Sequence, residues 1–196
     1  MNHSNSSHPS PTYITPRLSE RGVADEHWIR AMLHGAPFGS LGMLQAGHPY
    51  VKPTLFVYDE TAHAVYFHGA LEGRTHTALE AHPEVCFTIS QLGRLLPAKT
   101  AMEFSIEYNS VIVFGAVQIV EGEEALTALQ LLMDKYFTHL RPDQDYQPTN
   151  PEELALTSVY RIAITSWSGK AHHAAPDYPG AFYYERPGLQ NLGDFA

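Results

Sequence analysis

The chain has 196 residues and a formal net charge of −9 at pH 7, with 12 lysines and arginines against 21 aspartates and glutamates. This length is enough for one domain with its own core, and the hydrophobic share of 44% is typical of a globular protein. Because an acidic chain repels the nucleic-acid backbone and anionic membrane surfaces, we expect neither as a partner, and any bound anion needs a local site.

Cysteine usage and the first residues of the chain indicate its compartment. Cys86 is the single cysteine, so no disulfide can form within the chain, which is typical of a reducing environment. The first residues have neither the basic nor the apolar segment of a secretory signal. No apolar run approaches the roughly 20 residues that span a bilayer. We therefore expect a cytoplasmic protein.

The pattern of apolar residues predicts one β-rich domain at residues 24–170, between a flexible N-terminal arm at 1–23 and a C-terminal tail at 171–196. Strands are predicted at residues 38–45, 50–58, 64–68, 85–90, 102–108, 111–120 and 160–167, and helices at 25–33, 72–82, 121–140 and 151–156. Short hairpin connections join most of the strands, and helices do not alternate with them. The expected fold is therefore mainly β, a closed or half-closed antiparallel barrel rather than a doubly wound α/β sheet.

Residues 65–75 carry the clearest functional pattern. A predicted strand ends at His68, and a glycine-containing loop leads into a helix whose first turn holds Gly73, Arg74 and Thr75. Free N–H groups at a helix N-terminus bind phosphate, an arginine can contact two phosphate oxygens, and a threonine adds a hydroxyl donor. The spacing also fits a plain helix start, in which Thr75 only caps the helix and Arg74 is solvated.

Other chemistry-bearing residues leave two interpretations each. His68 stands where its strand leaves the barrel, so it either contacts a ligand or donates a proton, or it is an ordinary structural histidine. Trp167 and Lys170 close the last strand and either cover a planar charged ligand or form an aromatic plug followed by a turn. His68, His76 and His82 match no common zinc spacing, so no metal site is expected.

The order of these segments is similar to that in the FMN-binding split-barrel superfamily related to pyridoxamine 5′-phosphate oxidase, and within it to the nitroimidazole-resistance (Nim) branch. The resemblance extends over about residues 25–170. The segments that carry it are residues 47–53, 65–68, 73–74, 82–87, 108–115 and 158–170. It implies a six-stranded antiparallel split β-barrel with flanking helices. It also implies a homodimer that holds FMN in a groove between its subunits.

The resemblance also assigns roles to residues. It implies that the flavin ring and ribityl chain contact Pro53, Thr54, His68, Gly69 and Ala70, and that the phosphate contacts Gly73, Arg74 and Thr75. Ser110, Trp167 and Lys170 are implied cofactor contacts, from the partner subunit or from the pocket wall. His68 is the implied catalytic residue, beside a small planar substrate.

One position departs from the family pattern, because many relatives have Gly-Arg-Lys where this chain has Gly73-Arg74-Thr75. The missing lysine costs on the order of 1–3 kcal/mol of phosphate binding unless His76 or Lys170 replaces its charge. The leading hypothesis is an FMN-dependent oxidoreductase, in the Nim case a nitroreductase. The alternatives are a flavin- or haem-binding module without turnover, with His68 as an axial haem ligand, and an interaction protein that has lost its cofactor.

Overall fold

The computed structural model of the protein describes residues 14–184. Its strands are β1 (Gly22–Val23), β2 (Gly39–Gln45), β3 (His48–Thr54), β4 (Val57–Asp59), β5 (Ala64–Gly69), β6 (Glu84–Leu96), β7 (Ser105–Val120), β8 (Ser158–His172) and β9 (Phe182–Tyr183). Its α-helices are α1 (Glu26–Gly35), α2 (Arg74–Ala81), α3 (Gly122–Tyr136) and α4 (Pro151–Leu154). Asp25 caps α1, since its carboxylate accepts the N–H groups of His27 and Trp28.

The strands form one antiparallel sheet in the order β3-β2-β6-β7-β8-β5-β4, with β1 paired to β8 and β9 to β6. β3 and β4 lie at opposite edges of this path, although only residues 55–56 separate them in the chain. Three residue steps reach at most about 11 Å. The two edges therefore lie close together, and the sheet curls around a common core. The predicted fold, a mainly antiparallel β split barrel with flanking helices, is confirmed.

The single strand predicted at residues 50–58 is wrong, because the chain leaves β3 after Thr54 and starts β4 at Val57. The β-forming side chains on both sides of the break gave no local signal of it. The two strands predicted at 102–108 and 111–120 are instead one continuous strand, β7, which begins only at Ser105, after a 3₁₀ helix at Ala101–Glu103. The last helix turn predicted up to residue 140 is absent from α3, which ends at Tyr136.

Phe56 stabilises the two-residue connection, residues 55–56, that joins the two edges of the sheet. Its side chain is fully buried, and its ring centroid lies 4.7 Å from that of Phe87. Its backbone N–H donates to the Tyr136 hydroxyl at 3.0 Å, and the same hydroxyl donates to the Phe56 carbonyl oxygen at 2.8 Å. Tyr136 at the end of α3 thus satisfies both backbone groups of a buried residue that lies outside the strand pairing.

The core has two layers. The first fills the barrel and includes Ile29 and Leu33 of α1 and Ala78 and Leu79 of α2, so these two helices cover the barrel ends. The second lies between the outer face of the sheet and α3; it consists of Val57, Ala64, Tyr66, Ala125, Ala128, Leu132 and Val159. Along β5, Val65 and Phe67 face the barrel and Ala64 and Tyr66 face α3, as the period of two requires.

Residues 173–184 form a strap that returns to the sheet, where β9 pairs with Arg94 and Leu95 of β6. The strap is held by an ion pair between Arg94 and the buried Glu107, whose atoms Nη2 and Oε1 are 2.6 Å apart. Glu107 also accepts the backbone N–H of Ala174, and Arg94 donates to two carbonyls of the strap. The ion pair and strap therefore stabilise each other.

Residues at the start of the described chain also contact the sheet, since Gly22 and Val23 of β1 pair with Lys170 and Gly169 of β8. Most of the predicted arm, and residues 185–196 of the predicted tail, lie outside the described residues. The division into arm, domain and tail stays a prediction.

Replacing Tyr136 with phenylalanine leaves the backbone N–H and carbonyl of Phe56 without their buried partner. We expect Tyr136→Phe to lower the free energy of unfolding by about 1–3 kcal/mol, measured by urea denaturation. The control is Tyr183→Phe, whose hydroxyl is exposed and whose loss should change stability by less than about 0.5 kcal/mol. Equal effects of the two substitutions would contradict the role of Tyr136.

The Glu107 carboxylate makes the stability of the fold depend on pH. The hydrogen bond from Arg94 and the N–H of Ala174 lower the pKa of Glu107 from 4.5 to about 2. A lowered carboxyl pKa stabilises the fold above the unfolded value and loses that contribution as pH falls from about 4.5 to about 2. The difference in free energy of unfolding between wild type and Glu107→Gln should therefore be largest at pH 6 and should shrink as the pH falls from about 4.5 to about 2.

Unfolding of both proteins by urea at several pH values measures this difference. Glu103→Gln is the matched control, because Glu103 is an exposed carboxylate on the same connection between β6 and β7. If the difference in free energy of unfolding between wild type and Glu107→Gln does not change with pH, the ion pair does not contribute the stability assigned to it.

Candidate functional site

Lys52 of the edge strand β3 lies next to the end of β5, since its Nζ is 3.7 Å from the position of a β-carbon on Gly69. The region between β3, the end of β5 and the start of α2 is called the groove. The β2–β3 register sets Lys52 opposite Leu41 and Tyr50 opposite Met43. Leu41 and Met43 belong to the barrel core, so Tyr50 and Lys52 point from an edge strand toward the inside of the barrel. Because β3 pairs only with β2, its inward side chains are directed at the end of β5 and the start of α2.

The N-terminus of α2 lies at this groove and has no side-chain cap. Gly73 is its N-cap residue, with φ of 118°, a backbone conformation that favours glycine. The interpretation in which Thr75 caps the helix is therefore wrong. No atom lies within 4 Å of the position that a β-carbon on Gly73 would occupy, so the helix start is open to a ligand. The first N–H groups of α2 are the donors it offers.

Two cations lie in this region, Arg74 in the first turn of α2 and Lys52 beside the end of β5. The guanidinium carbon of Arg74 lies 5.1 Å from the centre of the Tyr50 ring. Lys52 Nζ lies 6.0 Å from the centre of the Phe67 ring and 3.7 Å from the position of a β-carbon on Gly69. Burial lowers the pKa of Lys52. Neither cation has a carboxylate partner within residues 14–184, so both can serve an anion.

Lys52 is the site residue that sequence reasoning missed. Lys52 lies within residues 47–53, one of the segments that carry the family resemblance. Only His76 and Lys170 were considered as replacements for the charge of the lysine that position 75 lacks. The ring of His76 is engaged by the Tyr160 hydroxyl at 3.2 Å and by Glu80 at 3.2 Å. The signal available in the sequence was the alternation of Tyr50, Lys52 and Thr54 along one face of a strand.

His68 lies at the end of β5, opposite Val159 of β8. Its side chain reaches solvent and has no hydrogen-bond partner within the described part of the chain. The pKa of His68 is lowered, first by the surrounding protein, which desolvates the imidazolium, and second by repulsion from Lys52. The imidazole is therefore neutral at pH 7, with one nitrogen free to accept and one to donate.

The other residues predicted to contact the flavin or its phosphate lie at the ends of β3 and β5 and at the start of α2. Pro53 and Thr54 end β3, and the Thr54 hydroxyl donates to the Leu55 carbonyl oxygen at 3.1 Å. Gly69 ends β5 and accepts the Thr157 hydroxyl at 2.8 Å, which fixes the point where the chain leaves the sheet. Ala70, Gly73 and Arg74 are exposed and Thr75 is half-buried along the loop and helix start.

Ser110, Trp167 and Lys170 are not brought to this groove within one chain. Gly69 pairs with Ser158 at the start of β8, whereas Lys170 pairs with Ser110 twelve positions farther along the same strand. Twelve strand residues span about 40 Å. Trp167 lies nearer to Lys170, and its ring centroid is 4.8 Å from that of His63, before β5 begins.

Within residues 14–184, no three or more His, Cys, Asp and Glu side chains are grouped so that they could hold a metal ion. The same residues contain no helix that is long and apolar enough to cross a membrane.

The chain is similar to known proteins. Residues 25–171 match the family model for pyridoxamine 5′-phosphate oxidase. The chain belongs to this family. No curated protein matches the chain.

Solved structures with the same fold include the flavocytochrome Anf3 from Azotobacter vinelandii. It is 26% identical, with a TM-score of 0.71 over 91% of this chain and 89% of that chain. A putative 5-nitroimidazole antibiotic resistance protein from Bacteroides thetaiotaomicron is 24% identical, with a TM-score of 0.64 over 76% of this chain and 86% of that one. An FAD and heme binding protein from Mycobacterium smegmatis is 22% identical, with a TM-score of 0.69 over 80% and 76%. The predicted family is thus confirmed.

The position of Lys52 predicts how His68 titrates. We expect the His68 imidazole to titrate below 6.5, its ordinary value, in proton NMR. Lys52→Met should raise the pKa of His68 but not restore it fully, because desolvation by the protein is the larger cause. Lys99→Met, at an exposed lysine outside the groove, should leave the titration unchanged. A His68 midpoint that is the same with and without Lys52 would contradict the assigned geometry.

Proposed function

We propose that the protein is a flavin-dependent oxidoreductase that holds the phosphate of the FMN moiety at the N-terminus of α2. The observation that carries the proposal is the uncapped helix start at Gly73, with Arg74 in its first turn and Lys52 beside Gly69 at the end of β5, in a chain of net charge −9. Membership of the pyridoxamine 5′-phosphate oxidase family supports the flavin. FMN itself remains the proposed form of the cofactor.

The residues present fit such a group. The N–H groups of α2, the Arg74 guanidinium and the Thr75 hydroxyl are phosphate donors, and Lys52 supplies the charge that position 75 lacks. Pro53, Thr54, Gly69 and Ala70 offer small side chains and backbone along the path toward His68. When bound, a flavin supplies the electron and hydride transfer that the side chains of the protein cannot perform.

His68 is the residue proposed to act on the substrate. Its imidazole is neutral and free of other hydrogen bonds within the described residues, so it can orient a small planar molecule by donating a hydrogen bond from one ring nitrogen. A nitro compound is the substrate class that the Nim-like relative supports. His68 would then hold a nitro oxygen while the phosphate end of the groove keeps the cofactor in place.

A homodimer completes this proposal. Ser110 and Lys170 lie twelve strand positions from the residue that pairs with the end of β5, so their proposed cofactor contacts, and that of Trp167, are assigned to a second subunit. A cytoplasmic location, and the absence of nucleic-acid and membrane partners, are also proposals.

The test is flavin uptake by the purified protein. We expect the two visible flavin absorption bands, either as purified or after titration with FMN. Arg74→Ala should weaken binding about 10- to 100-fold, because a hydrogen bond to a charged group contributes about 1.5–3 kcal/mol. Arg141→Ala, in an exposed connector, is the control and should bind as wild type does. If the wild type takes up no flavin, the proposal fails and a cofactor-free interaction protein is favoured.

Haem binding without turnover is the second candidate function. It is supported by the likeness to a flavocytochrome at 26% identity and by the neutral imidazole of His68, the form that ligates iron. In this case His68 would be an axial ligand rather than a substrate contact.

A haem titration separates the two roles of His68. If His68 is an axial ligand, wild type should show a shifted Soret band on adding haem, and His68→Ala should not. His48→Ala, at an exposed histidine of β3, should behave as wild type does. An unchanged Soret shift in His68→Ala would remove the axial role and leave the substrate role in place.

A further inference from the structure

Basic side chains gather at the end of β8, where Lys170 and His172 lie. This end is remote from the groove, because Ser158, the first residue of β8, is the one that pairs with the end of β5. Arg21 belongs to the same place, since the next residue of the chain, Gly22, pairs with Lys170. All three basic side chains are half-buried, and none of them has a carboxylate partner within residues 14–184.

Arg21 differs in this respect from the other half-buried arginines. Arg30, Arg94 and Arg161 are also half-buried, and each forms an ion pair with a glutamate. Arg21 is the one half-buried arginine of residues 14–184 without such a partner. A guanidinium that is partly withdrawn from water is stabilised when an anion binds it. Arg21 is therefore available to an anionic ligand.

The hydroxyl of Tyr108 reports the local charge. Tyr108 pairs with His172 across β7 and β8, and Lys170 Nζ lies 5.5 Å from the centre of its ring. Desolvation acts to raise the pKa of Tyr108, but the interactions of its hydroxyl with Arg21 and Lys170 outweigh that effect and lower the pKa. A phenol whose charged form is favoured indicates a positive local potential, which favours other anions as well.

A cavity of about 550 Å³ opens beside these cations, within the range of about 300–1,000 Å³ that is typical of small-molecule sites. The start of β7, the 3₁₀ helix before it and the strap form its walls, and Arg21 and His172 line it. Large apolar side chains also line it, and of these Met102 is 94% exposed and Phe104 is 59% exposed. The cavity therefore combines a cationic part with an uncovered apolar part.

Glu103 is the acidic side chain of this lining. It is exposed, and among the described side chains it forms no ion pair with Arg21. Solvent and salt screen an exposed charge more than a half-buried one. A bound anion is therefore attracted by Arg21 more than it is repelled by Glu103.

We propose that this cavity binds a small aromatic carboxylate. Arg21 contacts the carboxylate oxygens, Tyr108 positions the Arg21 guanidinium, and Lys170 adds positive charge. The aromatic ring lies against Met102 and Phe104, because thioether and aromatic side chains both make favourable contacts with a ring. The proposal does not depend on the proposed function, since none of the residues that line the cavity is assigned to the flavin.

Calorimetric titration of the full chain with naphthoate tests the proposal. Naphthamide has the same ring system without the charge, and inorganic phosphate has a charge without the ring. We expect both to bind at least about tenfold more weakly than naphthoate. Naphthamide or phosphate binding as tightly as naphthoate would overturn the proposal, and so would a wild type that binds none of the three.

Substitutions in the lining give a second test. Arg21→Met should weaken naphthoate binding at least about tenfold, whereas Arg17→Met, at an exposed arginine four positions earlier, should bind as wild type does. Glu103→Gln should strengthen binding severalfold and Met102→Glu should weaken it severalfold, because they remove and add a repulsive charge. Unchanged naphthoate binding in both Arg21→Met and Met102→Glu, with the fold retained by circular dichroism, would overturn the proposal.

Flavin uptake by the same samples separates this site from the groove. We expect Arg21→Met to take up flavin as wild type does. If naphthoate displaces bound flavin, the cavity belongs to the flavin site and the proposal is overturned. Naphthoate binding by a protein that takes up no flavin would support this proposal and remove the proposed function.

Discussion

The structure depends on a two-residue crossing. Leu55 and Phe56 carry the chain directly from one edge of the sheet to the other, so the strands between those edges have to curl into a barrel. The crossing is stable because the hydroxyl of Tyr136 pairs with both backbone groups of Phe56 while the Phe56 ring is buried against Phe87. A buried backbone segment without partners would be costly. Helix α3 therefore stabilises the crossing between the two edges of the sheet and also covers the outer face of the sheet.

The same constraint produces the candidate site. Because the edges approach without pairing, β3 can direct Tyr50 and Lys52 at the end of β5, where Gly69 and His68 leave the sheet. Helix α2 then starts with uncapped N–H groups and Arg74 at the same place. In an acidic protein this is a local concentration of positive charge, which is what the proposed phosphate site needs against the overall charge of the chain.

The sequence could predict the features that arise from local periodicity. The alternation in β6 and β8, the stripe of α3 and the order of the family segments were enough for the fold class and for the position of the α2 start. The break at residues 55–56 could not be predicted, because the partner that stabilises it lies 80 residues away. Lys52 was missed for a related reason: its importance comes from facing an unpaired edge. The strap is a further case, since the Arg94–Glu107 pair that holds it is visible only after β6 and β7 pair. The contacts assigned to Ser110, Trp167 and Lys170 require a subunit that one sequence does not display.

The central claim is that the start of α2 is a phosphate site with His68 at the ring end of the same flavin. A crystal structure of the protein grown with FMN tests it most directly. The account predicts the FMN phosphate within hydrogen-bond distance of the first N–H groups of α2 and of Arg74, with the isoalloxazine ring beside His68. A flavin bound elsewhere on the protein, with the N-terminus of α2 facing only solvent, would contradict it.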